Sequence, residues 1–146
     1  MPAGERDARY FDTSVLVKGY VTERGSETAI RALQEHTVVS SMLAPVELTG
    51  ALRRYREVAT SSEVAAAESR FARERAEWWL IAIDVDVLRR AERVIATTAI
   101  RTLDAVHLGA ALAFREQVQG DVPFMTADER QRRAAVALGL RVIFLA

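Results

Sequence analysis

Cysteine is absent from the 146 residues, which excludes a disulfide scaffold, a cysteine-based zinc site and a thiol nucleophile. Lysine is almost absent too: Lys18 is the one lysine among 20 basic side chains, the rest being arginine. Glycine is scarce at seven residues, and no GxGxxG or GxxxxGK[ST] occurs, so the usual dinucleotide and triphosphate cradles are missing. Net charge is missing as well, because 20 acidic groups balance 20 basic ones. No global positive field therefore draws the chain to nucleic acid. The longest uncharged runs, Thr37–Val46 and Ala105–Phe114, reach about half the length of a bilayer span. Met1–Ala8 is polar and charged, unlike a signal peptide. These absences predict a soluble, cytoplasmic protein with no membrane association.

What is present is a globular composition. Half the residues are apolar, and a chain of this length suits one domain burying roughly 70% of its unfolded surface. The arginine excess is what a GC-rich coding sequence produces. It also supplies forked donors that suit phosphate.

Short apolar or β-branched runs alternate with helical patterns. Arg9–Phe11 reads as a strand leading into Asp12, and Ser26–Glu35 as a helix. Thr37–Ser41 is a second strand, followed by a helix over Ala44–Tyr55 with Pro45 in its first turn, where proline is tolerated. Ser61-Ser62-Glu63 resembles an N-cap for a helix reaching Glu77, with Val64, Ala67, Phe71 and Ala72 as its apolar stripe. Leu80–Val85 is predicted as the third strand, with Trp78 and Trp79 before it packing on the core or, for one of them, exposed at an interface. Asp86 is expected to cap a helix to about Ala96, and Arg101–Gln117 forms another. Val122–Thr126 is the fourth strand, Asp128–Leu138 the last helix with Gly139 as its C′ residue, and Arg141–Leu145 the fifth strand. The helical connections are long enough for crossovers, so the expected fold is a single three-layer α/β/α domain with a five-stranded, mainly parallel sheet.

In an open parallel sheet, ligands bind beyond the carboxyl ends of the strands. Asp12 and Asp128 arrive there directly, after the first and fourth strands. Two further acids interrupt apolar helix faces: Glu47, beside Leu43 and Ala51, and Asp104, sharing a face with Ile100, His107, Leu108 and Ala111. An inward-facing acid is costly unless compensated. A shared divalent cation compensates several, and hard oxygen ligands suit Mg²⁺ or Mn²⁺. Each acid also has a structural use. Asp12 can close a turn through Thr13 and Ser14, and Glu47 can pair with an arginine. Asp104 can bridge to Arg101 or bond His107, and Asp128 can cap a helix. Thr13, Ser14 and Thr126 place hydroxyls beside the acids, where they can hold metal-bound water or finish turns. His107 is read as a satisfied, semi-buried histidine rather than a general base.

At these residues the chain resembles a PIN domain, specifically the VapC-type toxin ribonuclease of bacterial toxin–antitoxin pairs. The resemblance spans about Arg9 to Ala146, leaving residues 1–8 as a polar extension. It is carried by Tyr-Phe-Asp12-Thr-Ser-Val-Leu-Val-Lys, Ser-Ser-Met-Leu-Ala-Pro-Val-Glu47-Leu, Arg-Thr-Leu-Asp104-Ala-Val-His-Leu and Phe-Met-Thr-Ala-Asp128, all in order. It implies a Mg²⁺-dependent endoribonuclease, with Mn²⁺ able to substitute, held inactive by a VapB-type antitoxin. Its site would comprise Asp12, Glu47, Asp104 and Asp128 as catalytic and metal-binding acids, with Thr126, Thr13, Ser14 and Arg101 in support. A homodimer or a hetero-oligomer with the antitoxin would follow. Three other classes compete. A receiver-like phosphoacceptor needs a lysine near its acids, and Lys18 is the sole one. A haloacid-dehalogenase-like phosphatase would have Asp-x-Asp where Asp12-Thr13-Ser14 stands. A catalytically inactive PIN-like scaffold acting only through protein binding would gain nothing from four clustered acids.

Overall fold

The computed structural model describes residues 7–146. Five strands, β1 (Ala8–Phe11), β2 (Thr37–Ser41), β3 (Trp79–Ile81), β4 (Phe124–Thr126) and β5 (Val142–Phe144), alternate with seven α-helices. The helices are α1 (Thr13–Tyr20), α2 (Ser26–Glu35), α3 (Ala44–Tyr55), α4 (Ser61–Glu74), α5 (Val85–Thr97), α6 (Thr102–Val118) and α7 (Glu129–Ala137). The sheet is parallel throughout, in the order β3-β2-β1-β4-β5. From β1 the chain first builds outward through β2 and β3, then returns to the other side of β1 for β4 and β5. The strand order therefore reverses between β1 and β4, and a crevice opens at their carboxyl ends.

Strand alternation sorts the core into two sides. Tyr10, Val39 and Phe124 point into a cluster with Val87, Ala91, Leu108, Ala111 and Ala135 of α5, α6 and α7. Phe11, Val38 and Met125 face the other way, against Val15 and Leu16 of α1, Ala29 and Ala32 of α2, and Ala44 of α3. Both sheet faces are thus covered, as a parallel sheet requires, and the three-layer expectation holds. A third cluster joins Tyr20, Leu48, Leu52, Tyr55, Val64, Ala67 and Phe71 beneath α4. Ala72, assigned to that stripe from the sequence, is exposed. Trp78 packs on Tyr20 and Phe71, whereas Trp79 is substantially exposed.

Several boundaries move. Helix α1 has no counterpart in the sequence reading, because Thr13, Val15, Val17 and Gly19 are poor helix formers. Burial of Val15, Leu16 and Tyr20, together with a cap from Asp12, outweighs that preference. The third strand is Trp79–Ile81 rather than Leu80–Val85, since its pairing with β2 ends where β2 ends, at Ser41↔Ile81. The chain then turns early, and Asp84, not Asp86, caps α5 by accepting from Val87 N at 2.9 Å. Thr60, not Ser61, caps α4, with Glu63 completing a reciprocal capping box. Gly139 follows α7 with φ +80°, as a C′ residue should. The polar extension falls largely outside the described residues; Ala8 belongs to β1, and Asp7 O already accepts from Thr37 N at 3.1 Å. Among the described residues, no helix is long and apolar enough to cross a membrane.

Candidate active site

The reversal of strand order places the ends of β1 and β4 side by side, joined by Asp12 N donating to Met125 O at 3.0 Å. Asp12 leaves the sheet in an extended conformation and caps α1. Its Oδ1 accepts from Ser14 N at 2.8 Å and from the Ser14 hydroxyl, and its Oδ2 accepts from the Thr126 hydroxyl at 2.7 Å. Ser14 Oγ in turn accepts from Ala127 N at 2.8 Å, and Thr126 Oγ1 accepts from Asp128 N at 3.0 Å. Two hydroxyls thereby latch the two strand ends around one carboxylate. Burial pushes the Asp12 carboxyl above the ordinary carboxylate range, against the pull of the Ser14 and Thr126 hydrogen bonds.

Glu47 reaches the same place from the first turn of α3, where the helix N-terminus favours a negative side chain. Its partner is not an arginine. Oε1 lies 2.6 Å from His107 Nε2 and accepts from Thr13 Oγ1 at 2.8 Å. Burial alone would raise the Glu47 carboxyl; His107, first through its hydrogen bond, and the Thr13 hydroxyl overcome it and hold the group below its ordinary value. His107 is almost wholly buried on α6, its other nitrogen, Nδ1, 2.8 Å from the Tyr10 phenol oxygen.

Asp104 stands in the first turn of α6, half-buried, with Arg101 Nε 3.4 Å from its Oδ2. Desolvation raises its carboxyl; Arg101 opposes that, and the charge of Asp128 adds to it. Asp128 caps α7, its Oδ1 accepting from Arg130 N at 2.8 Å and Gln131 N at 3.2 Å. Gln131 Nε2 donates to Asp104 O at 3.0 Å, tying the start of α7 to the start of α6.

All four acids line one open cavity of about 540 Å³, together with Thr13, Ser14, Arg101 and His107. Thr126 lies behind Asp12 as its hydrogen-bond donor. The structural uses foreseen for Asp12, Asp104 and Asp128 are real, and they coexist with the clustering: caps and one ion pair aim the acids at a common space. The sequence reading missed four lining residues, Val17, Lys18, Glu23 and Ala127. Lys18 joins the wall because α1, absent from the sequence reading, sets it one helical turn beyond Ser14. It also missed Tyr10 as a polar partner, because a tyrosine inside a strand core reads as packing.

The donor set suits a hard divalent cation. It offers carboxylate and hydroxyl oxygens, two acids raised by burial, and Lys18 and Arg101 as the cationic side chains on the walls. Among the described residues, no three acidic or histidine groups close into a ready-made cage. The four acids instead line one open cavity, which suits an ion that keeps several of its waters, as Mg²⁺ does.

A family model for the PIN domain matches residues 9–137. Ribonuclease VapC49 of Mycobacterium tuberculosis is 35% identical over 144 residues, covering 91% of this chain and 92% of that protein. Ribonuclease VapC35 of the same organism is 34% identical over 143 residues, covering 92% of this chain and 94% of that one. Among solved structures, VapBC2 from Rickettsia felis, bound to a DNA fragment from its promoter, shares the fold. Its TM-score is 0.66 at 10% identity, over 95% of this chain and 99% of the other.

Proposed function

The chain belongs to the PIN domain family, and from that premise we propose that it is a divalent-cation-dependent endoribonuclease of the VapC type, the toxin half of a pair with a VapB-type antitoxin. The observation that carries this reading is the convergence of Asp12, Glu47, Asp104 and Asp128 on one cavity at the strand-order reversal. A scaffold that only binds a partner has no use for four acids gathered in one cavity.

Asp12 and Asp104 are assigned as principal metal ligands, Glu47 as a ligand or as the acceptor that orients the attacking water, and Asp128 as a ligand of a second ion or of metal-bound water. When bound, Mg²⁺ or Mn²⁺ lowers the pKa of water and neutralises charge on the scissile phosphate. The chain's own residues do the rest. Ser14 and Thr126 fix the direction of the Asp12 carboxylate. Thr13 and His107 hold Glu47 by one oxygen, and among the described residues the other accepts no hydrogen bond. Glu47 can therefore take a proton at Oε2 without breaking its anchor. Arg101, largely exposed at the rim, is the nearest arginine to hold the RNA backbone, while Lys18 on the wall is engaged by Glu23 and by Arg24 O. Net neutrality of the chain is no obstacle, because the cation supplies positive charge where the phosphate binds.

The test is cleavage of single-stranded RNA by purified protein with Mg²⁺ and with EDTA, paired with mapping of new 5′ ends in total RNA after brief expression. Cleavage should need the cation and disappear in Asp12→Asn and Asp104→Asn. Cleavage that persists in EDTA, or in both variants, would overturn the assignment.

A further inference from the structure

His107 does more than fill the core. It projects from α6 and is 2% exposed, yet both ring nitrogens are engaged by side chains from other elements. Nδ1 meets the Tyr10 phenol of β1 at 2.8 Å. Nε2 meets Glu47 Oε1 of α3 at 2.6 Å and Thr13 Oγ1 of α1 at 3.0 Å. These contacts settle which nitrogen carries the proton. An ionised Glu47 can only accept, and the single Thr13 hydroxyl proton already goes to Glu47 Oε1. Nε2 must therefore be the donor, shared between the carboxylate and the Thr13 oxygen. In the neutral ring Nδ1 then accepts, and the Tyr10 O–H is aimed at it.

We infer that His107 is a positioning residue of the cleavage site: its Nε2–H anchors Glu47 by one oxygen, and Tyr10 holds the ring in the orientation that does so. This inference rests on the function proposed above and adds a buried Tyr10–His107–Glu47 chain to it. The chemistry explains why an imidazole stands there. An arginine would orient Glu47 equally well but would place a fixed positive charge beside the metal position and compete with the cation. An imidazole N–H fixes direction without carrying a permanent charge, so the negative charge of Glu47 stays available to the cation. Tyr10 is itself pinned by stacking on Phe124 at 5.3 Å between centroids, so the chain is anchored in the sheet core.

The experiment uses the full chain as wild type, His107→Leu, His107→Gln and Tyr10→Phe. Mn²⁺ binding to metal-free protein is measured by calorimetry, RNA cleavage as kcat and KM, and folding by melting. His107→Leu should weaken Mn²⁺ binding by about 10–100-fold, the usual effect of losing a group that orients a ligand. It should lower kcat more than it raises KM. His107→Gln, whose amide nitrogen can stand where Nε2 does, should recover most of that loss, and Tyr10→Phe should fall between. A folded His107→Leu protein that binds Mn²⁺ and cleaves as wild type does would overturn the inference. Should His107→Leu fail to fold, the other two variants decide it: Tyr10→Phe unchanged with His107→Gln as impaired as Glu47→Ala would equally overturn it. A metal-independent arm separates this failure from failure of the proposed function. ¹⁵N-histidine spectra of the metal-free chain should show a proton on His107 Nε2 whose signal moves in Glu47→Gln. An unprotonated Nε2 removes the anchor even if the wild type cuts RNA. A wild type that neither binds Mn²⁺ nor cuts RNA removes the function first, and the anchor's purpose with it.

Discussion

Asp12 shows how a single residue serves two purposes. As a cap it stabilises α1, and asparagine would cap about as well. As a buried charge beside other acids it opposes folding when no cation is present. Its carboxyl, like that of Asp104, is raised by burial. A raised folded pKa contributes stability that is complete below the ordinary carboxylate range, about 3.9, and is lost as pH rises through the raised value. Glu47 has the opposite sign: lowered overall, it contributes stability above its ordinary value that is lost as pH falls through the folded one. Two raised acids against one lowered one give a net expectation. In EDTA, acidification from neutrality should raise the melting temperature until Glu47, the lowered carboxylate, protonates. With saturating Mg²⁺ the trend should reverse, because protons compete with the metal for the same oxygens. Asp12→Asn should melt higher than wild type in EDTA. A hundredfold excess of Mg²⁺ over its dissociation constant should stabilise wild type by about 2.7 kcal/mol, and the variant much less. Melting that ignores both Mg²⁺ and this substitution would remove the metal from the account.

At the scale of elements, caps and close approaches decide where helices begin and how tightly they pack. Asp86 reads as the cap of α5 in the sequence, but it is Asp84 that accepts from a free helical N–H. Asp84→Ala should therefore cost about 0.5–2 kcal/mol in urea unfolding. Asp86→Ala removes only an exposed ion pair with Arg90, at 2.9 Å, and should cost about 0–1 kcal/mol. Equal costs would contradict the cap assignment. The α5–α6 packing depends on Gly109, where an added Cβ would stand 2.7 Å from Val87 O and 3.1 Å from Ala91 N. Backbone cannot yield as a side chain does, so Gly109→Ala should destabilise by about 1–3 kcal/mol despite alanine's better helix propensity. Gly50→Ala on α3 meets only the end of Arg54, at 3.5 Å, and should stabilise by about 0.5–1 kcal/mol. A neutral Gly109→Ala would show that the two helices are free to separate.

At the scale of the whole molecule, a neutral chain gathers four carboxylates in one crevice. A partner that silences the site has a simple means: a lysine or arginine placed among the four acids excludes both cation and RNA. One exposed ion pair contributes only about 0–1 kcal/mol, so the same partner must also cover apolar surface, and Met42, Val46 and Leu103 are exposed on elements bordering the crevice. Co-expression with an upstream reading frame should yield a stable complex with suppressed cleavage, and rising Mg²⁺ should weaken the inhibition. Inhibition that is indifferent to Mg²⁺ would place the partner away from the acids.

The residues themselves determined a good deal. Alternating apolar runs and helical periods specified a parallel α/β layering, and proximity to a strand end was enough to single out Asp12 and Asp128. Interruption of an apolar face was enough to single out Glu47 and Asp104. These signals are local, so they survive in one dimension. Strand order was not among them. That β1 and β4 are neighbours, and that the crevice therefore opens between Asp12 and Asp128, follows from which crossover returns past β1. Helix α1 was illegible because its stability comes from burying Val15, Leu16 and Tyr20 rather than from propensity. The structural partner open to Glu47 in the sequence was an arginine; it instead meets His107, sixty residues along the chain and a direct neighbour only once α3 and α6 flank the same strand ends. Only the folded chain brings such a pair within 2.6 Å, because a hydrogen bond between distant residues is a property of packing, not of spacing.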